Sequence, residues 1–377
     1  MAACCKEIYR YILIGVFIIK ILVISDASHV GGAEYYIKNL VHLFKEDKEY
    51  DFVVYGNDAL NSILKINNTS VFTNSKPFKT ILNFLKVLFK ERPDVIHLNL
   101  TYPFSCFWIQ VLALFLFRHR FVATLHIART YKKKRLLNSF LKLIYKRIKI
   151  ILVAEAAKEE LYEFYGIRNK EIQVIPNWVD TKKFHSIAMA QKLKIKEELD
   201  IDIKAKVALF VGRFEEQKNI IELIKASEKL INSDKDWIIV LVGEGSQLNM
   251  IKQKSRELGI QENLMIFPFN DNPHKFYSIA DVFLLLSKYE CAPLTLLEAM
   301  SCGIPPVVTD VGDMRRMVND SEVICNSNLS DIVIRVQRAI DHGPVFWKDI
   351  IKENYTPLIA KKNMTKVYAN LKGVSSK

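Results

Sequence analysis

Short apolar runs alternate with longer segments of helical period almost throughout this chain, the pattern of a parallel sheet covered by helices. In the first half, the runs at 21–25, 52–55, 95–98, 121–125, 150–154 and 173–175 predict strands. Between them lie amphipathic segments such as 36–46, where Ile37, Leu40, Val41 and Phe44 form one stripe. The stretch 176–180 breaks the pattern, and the polar, Lys-rich residues up to Lys206 read as a connector and a helix. The alternation then restarts, with strands predicted at 207–211, 237–242, 264–267, 282–286 and 306–309 and helices at 220–230, 247–258 and 294–302. Two doubly wound α/β units are the economical reading: residues 1–180 and 181–356, with a helix at about 357–372 packing back on the first. In such folds ligands sit outside the carboxyl ends of the strands, and two facing units create a cleft between them.

The 377 residues are half hydrophobic and one quarter charged, with 13 Gly and 11 Pro, which excludes collagen-like, coiled-coil and low-complexity classes. Charge changes the picture more. Lys and Arg number 54 against 41 acidic residues, a net charge of +13 that points to anionic partners. No acidic residue occurs between Asp94 and Glu155, and eleven cations crowd into that interval, leaving the rest of the chain nearly neutral. Six Cys are scattered without a C-x-x-C pair or His at metal-ligand spacing, as a reducing cytosol would allow. Residues 11–25 are apolar apart from Lys20, but fifteen residues are fewer than the roughly 18 to 20 of a membrane span. A buried first strand at 20–25 preceded by an extra apolar segment is therefore expected, with a signal anchor as the alternative.

The cations concentrate at 129–149. Residues 131–149 read as a basic amphipathic helix, with Leu137, Leu141, Ile144 and Ile148 on one stripe and Arg135, Lys142, Lys146 and Lys149 on another. Such a helix suits an anionic membrane surface, at about 1 kcal/mol per near-surface cation. The adjacent Phe- and Leu-rich residues 104–117 are too few to span a membrane and form either a core helix or a membrane-facing one. A solvated basic face is the structural alternative. Nucleic acid is not expected, because only Tyr131, Phe140 and Tyr145 interleave the charges.

Three motifs carry chemistry. After the first strand, Gly31-Gly32 opens a helix where backbone N–H groups and the helix dipole can meet an anion. It is not G-x-G-x-x-G, so a dinucleotide fingerprint fits poorly. Arg213 and Lys218 leave the carboxyl edge of the strand at 207–211 and can converge on a diphosphate, Arg as a planar fork and Lys as a point charge. The third motif runs from Ser287 to Pro305. Pro293 suits the first turn of a helix, so Glu290 lies in the preceding loop and Glu298 roughly 7.5 Å along the axis. The free N–H groups of Leu294 and Thr295 then point toward a phosphate with a carboxylate on either side. Each carboxylate can accept hydrogen bonds from vicinal hydroxyls of a sugar or ribose.

In this order and spacing the motifs resemble the retaining, nucleotide-sugar-dependent glycosyltransferases of the GT-B fold, glycosyltransferase family 4 or group 1. The third motif is similar to that family's E-x7-E signature, and the resemblance extends through Thr124-Leu125-His126, Ile175 to Asp180, Val211-Gly212-Arg213 with Lys218, and Val242 to Gly245. It implies an acceptor-binding first unit and a nucleotide-sugar-binding second unit. Gly31 and Gly32 would approach the donor's distal phosphate or reacting sugar, and Arg213 and Lys218 would neutralise the diphosphate. Leu294 and Thr295 would add backbone contacts, Glu298 would hold the ribose hydroxyls, and Glu290 and His126 would hold the donor sugar as catalytic residues. The family needs no bound metal or other cofactor, so none is expected beyond the nucleoside diphosphate sugar as co-substrate.

The acceptor implied is a glycan or lipid-linked molecule of a bacterial cell-surface polysaccharide pathway, with the enzyme cytoplasmic and peripheral at the inner face of the plasma membrane. A non-catalytic sugar-nucleotide or membrane-binding module, or an epimerase or hydrolase on the same fold, is the alternative. Cys291 stands where the family usually has Gly, Asp313 and Arg316 replace Gly and Glu, Trp178 replaces a Gly, and Ile127 stands where an acid is common. The changes near Glu290 bear on which sugar is taken.

Overall fold

A computed structural model describes residues 18–26, 31–56, 60, 64, 77–115, 120–127, 135–168, 172–269, 273–325 and 330–372. The apolar residues 11–17 of the N-terminal segment lie outside this set. The chain divides into two compact units, residues 1–175 with 361–377, and residues 176–360. Among the described residues no helix is long and apolar enough to cross a membrane.

The first unit alternates β1 (Ile19–Ile24), α1 (Gly32–Leu43), β2 (Tyr50–Tyr55), α2 (Pro77–Glu91), β3 (Val95–Leu100), α3 (Phe107–Ala113), β4 (Phe121–Leu125), α4 (Arg135–Tyr145), β5 (Lys149–Leu152), α5 (Ala156–Tyr165) and β6 (Gln173–Val174). Its six strands lie in the order β2-β1-β3-β4-β5-β6, and the pairs are parallel. Every residue of β3 and β4 is buried, as expected of strands covered on both faces. The chain leaves β1 for β2 on one side and returns to β3 on the other, so the switch point lies between β1 and β3.

Two expected helices have different ends. The helix expected from residue 36 starts at Gly32, because extended Gly31 donates its N–H to the Glu34 carboxylate at 2.8 Å and nucleates the first turn. The basic helix expected over 131–149 is observed as α4, ending at Tyr145; residues 128–134 lie outside the described set. Lys149 belongs to β5, where pairing with Val122 of β4 takes its backbone into the sheet. Leu141, Ile144 and Ile148 are buried, whereas Lys142, Leu143, Lys146 and Arg147 are exposed.

The second unit contains α6 (Met189–Glu198), β7 (Lys206–Val211), α7 (Ile220–Ser233), β8 (Trp237–Val242), α8 (Leu248–Glu257), β9 (Leu264–Phe267), α9 (His274–Ile279), β10 (Val282–Leu285), α10 (Leu294–Ser301), β11 (Pro306–Thr309), α11 (Met314–Val318), β12 (Ile324–Cys325), α12 (Ile332–Asp341) and α13 (Gly343–Asn354). The sheet order is β12-β11-β10-β7-β8-β9, again parallel, with its switch point between β7 and β10. The last helix, α14 (Pro357–Lys372), carries the chain from the second unit back into the first. There Met364, Val367 and Tyr368 are fully buried, and Lys372 Nζ donates to the Ile18 carbonyl at 2.7 Å.

Candidate functional site

The candidate residues of the second unit collect at its switch point. Past β7 the backbone runs against the loop after β8: Phe214 N–H donates to the Glu244 carbonyl at 2.8 Å and Gln247 N–H to the Phe214 carbonyl at 2.9 Å. A Cβ on Gly243 would collide with the Gly212 carbonyl oxygen, so this approach requires glycine. The chain then makes a short 3₁₀ turn over Glu216–Lys218. Gln217 Nε2 donates to the Tyr289 carbonyl at 3.1 Å, Lys288 N–H to the Gln217 carbonyl at 2.9 Å, and Asn219 Nδ2 to the Leu286 carbonyl at 3.1 Å. The loop after β7 is thereby joined to the loop after β10.

That junction brings Lys218 and Glu290 together. Lys218 Nζ lies 2.6 Å from Glu290 Oε1, and the Ser287 hydroxyl donates to the same oxygen at 2.7 Å. Both side chains of the pair are largely buried, 14% and 7% exposed, whereas Arg213 is exposed and its guanidinium forms no hydrogen bond among the described residues. Arg213 and Lys218, expected to act alike, thus stand in different environments. The Ser287 contribution is visible in the sequence only as a hydroxyl three residues before Glu290.

The Glu290 loop is held from two sides. Asn177 Nδ2 donates to the Ala292 carbonyl at 2.6 Å, and Asp313 N–H donates to the Cys291 carbonyl at 2.9 Å. Gly312 adopts φ +57°, and a Cβ there would run into the Glu290 carbonyl oxygen. Gly312→Ala is therefore expected to cost about 1–3 kcal/mol of stability, read as a lower urea midpoint; an unchanged midpoint would contradict this packing. Asp313 and Arg316, both departures from the family pattern, pair with each other at 3.0 Å.

Helix α10 begins at Leu294, with Pro293 at the capping position rather than inside the first turn. The N–H groups of Leu294 and Thr295 have no acceptor one turn earlier. The buried Thr295 hydroxyl also has no hydrogen-bond partner among the described residues. An anionic ligand here would meet unsatisfied donors at the positive end of the helix. One turn on, Glu298 accepts a 2.7 Å hydrogen bond from the hydroxyl of fully buried Tyr277 on α9. Burial pushes the Glu298 carboxyl up to about 7, against the opposing effects of Tyr277 and the Lys183 charge. No sequence signal links Tyr277 to Glu298, because α9 reaches α10 only through the fold.

In the first unit, Gly31 and Gly32 begin α1 beyond β1, and His126 follows β4. Among the described residues, a Cβ on Gly32 would meet nothing within 4 Å, so none of them demands glycine at 32. His126 is 8% exposed, its ring edge-on to Tyr36 at 4.8 Å between centroids, with Nε2 2.8 Å from Asn99 Oδ1. Burial lowers its pKa to about 3, so the imidazole is neutral. Among the described residues no group of three or more His, Cys, Asp or Glu side chains could hold a metal ion.

Two parallel sheets, each with polar groups gathered at its switch point, define a two-unit doubly wound α/β protein, and comparison with known proteins makes the assignment specific. Residues 30–183 match Glycosyltransferase Family 4 and residues 191–345 match Glycosyl transferases group 1. The chain belongs to the GT-B glycosyltransferases of this family. The lipopolysaccharide 1,6-galactosyltransferase of Salmonella typhimurium is 27% identical over 88% of this chain and 92% of that protein. The UDP-Gal:alpha-D-GlcNAc-diphosphoundecaprenol alpha-1,3-galactosyltransferase of Escherichia coli is 26% identical over 65% of each. Other curated relatives match over less than half of their own length. Among solved structures, Anabaena HepE in complex with UDP-glucose shares the fold, with a TM-score of 0.78 at 16% identity over 93% of this chain and 99% of that one.

Proposed function

We propose that this protein transfers a sugar, with retention of anomeric configuration, from a nucleoside diphosphate sugar to a glycan or lipid-linked acceptor of a bacterial cell-surface polysaccharide. The observation that carries this reading is the largely buried Lys218–Glu290 pair with Ser287, four residues before a helix N-terminus whose Thr295 hydroxyl has no hydrogen-bond partner among the described residues. As the sugar–phosphate bond breaks, positive charge develops on the sugar ring and negative charge on the leaving diphosphate. Lys218, exposed Arg213 and the N–H groups of Leu294 and Thr295 supply the compensating charge and donors. Donor binding would draw Lys218 from Glu290 toward phosphate and free the carboxylate for the sugar hydroxyls. Glu298 would take the ribose hydroxyls, and Gly31, Gly32 and neutral His126 the distal phosphate and sugar.

Because the chain's own cations meet the diphosphate charge, no metal is required in this reading. The relatives' names and the UDP-glucose complex of HepE make UDP-sugars the first donors to try. A panel of UDP-, GDP- and ADP-sugars with lipid-linked glycan acceptors tests the proposal. Turnover that persists in EDTA and yields a retained anomer supports it; tight donor binding with no turnover, or epimerisation alone, would overturn it.

Membrane association is part of the same proposal. Phe89 on α2, Trp108 on α3, Phe115 just beyond it and Leu143 on α4 are exposed large apolar side chains. Phe107 packs its ring against both Trp108 and Phe140. Lys86, Lys90, Lys142, Lys146 and Arg147 on α2 and around α4 are exposed as well. Aromatic side chains beside cations suit the interfacial zone of an anionic bilayer. Co-sedimentation is expected with phosphatidylglycerol-containing vesicles and much less with neutral ones; equal binding to both would count against this role.

A further inference from the structure

We propose that Asn99 is a positioning residue that sets the tautomer of His126 and ties it to the Gly31-Gly32 turn, so that His126 Nδ1 stands as a hydrogen-bond acceptor for a hydroxyl of the donor sugar. The proposal rests on the reading that His126 serves the donor.

Asn99 lies on β3 beside the switch point and is 1% exposed. Its Nδ2 donates to the Ala33 carbonyl at 3.1 Å, directly after Gly32, and its Oδ1 lies 2.8 Å from His126 Nε2. A carbonyl oxygen can only accept, so the Ala33 contact fixes which end of the amide faces which neighbour. Oδ1 therefore faces His126, and it too can only accept, so His126 Nε2 must carry the proton. The ring being neutral, Nδ1 is left with its lone pair, and it has no hydrogen-bond partner among the described residues. One buried amide thus couples the start of α1 to the imidazole.

Among the described residues, burial alone shifts this imidazole and no charged group acts on it. Tyr36 of α1, in edge contact, has its phenol pushed up to about 12 by burial, and His97 of β3 is held neutral with its pKa lowered to about 3. His97 is itself bonded to Tyr368 at 2.7 Å and to Thr124 of β4 at 2.8 Å. Glu34 of α1 directs its carboxylate to the Gly31 N–H.

The test uses the full-length protein and two readouts. In the wild type, ¹⁵N NMR of His126 should show the Nε2–H tautomer with no titration between pH 5 and 8. Asn99→Asp keeps an acceptor for Nε2–H but loses the donation to Ala33 and places a charge beside the ring, which favours the imidazolium and protonates Nδ1. Its kcat/KM should acquire an acid limb absent from the wild type, falling on the order of tenfold from pH 8 to pH 6. That limb should vanish in the Asn99→Asp/His126→Ala double variant, which a merely structural defect would not produce. A wild-type Nδ1–H tautomer, or an Asn99→Asp profile parallel to the wild type, would overturn the proposal. Asn99→Ser, with no new charge, should lower kcat/KM without any acid limb; an acid limb there would also overturn it. Failure of the transferase reading is told apart, since the wild-type tautomer is read without turnover.

Discussion

Glu290→Gln is expected to lower kcat by about 10²–10³-fold, with a much smaller effect on the KM for the donor. The amide retains the size of the side chain and an oxygen that Ser287 can still reach, now 2.7 Å from Glu290 Oε1. What it loses is the negative charge that the proposed function sets close to where the sugar becomes cationic. An interaction that strengthens as charge develops acts on the transition state, so the loss belongs in kcat. Steady-state kinetics on the best donor of the panel measures it. A variant with wild-type kcat would remove Glu290 from the chemistry and, with it, the central residue of the proposed function.

Arg213→Ala and Lys218→Ala are expected to share a loss of activity and to differ in stability. Each removes a cation proposed to meet the diphosphate, so each should lower kcat/KM by about 10²-fold or more. Arg213 is exposed, and its removal should change folding stability by no more than about 0.5 kcal/mol. Lys218 is 14% exposed and pairs with a 7% exposed Glu290 at 2.6 Å. Removing it strands a largely buried carboxylate, at a cost of up to about 3–5 kcal/mol. Urea denaturation separates the two variants from the kinetics. Equal midpoints would mean that the Lys218–Glu290 pair is open in solution, and an active Arg213→Ala would take Arg213 out of the donor site. Arg213→Lys should recover little, because a point charge does not reproduce two parallel N–H donors.

The strands were legible because burial on both faces leaves an unbroken apolar run, as at 207–211 and 282–285. Helix ends were less legible where a partner elsewhere decides them. Gly31 begins α1 through the Glu34 carboxylate, and Lys149 leaves the expected basic helix because β4 pairs with it. Periodicity cannot report which backbone group finds a distant partner.

The amino-acid sequence by itself determined the α/β class, the restart of the pattern after residue 180, and the order of the motifs that mark the family, because each depends on residue type at short spacing. Only the tertiary structure decided that the loops after β7 and β10 meet at the switch point, that Lys218 is paired while Arg213 is exposed, and that Tyr277 and Asn99 hold Glu298 and His126. These partners are 21 to 72 residues apart along the chain. Their contact follows from the order in which strands are laid into a sheet, a property that local pattern does not carry.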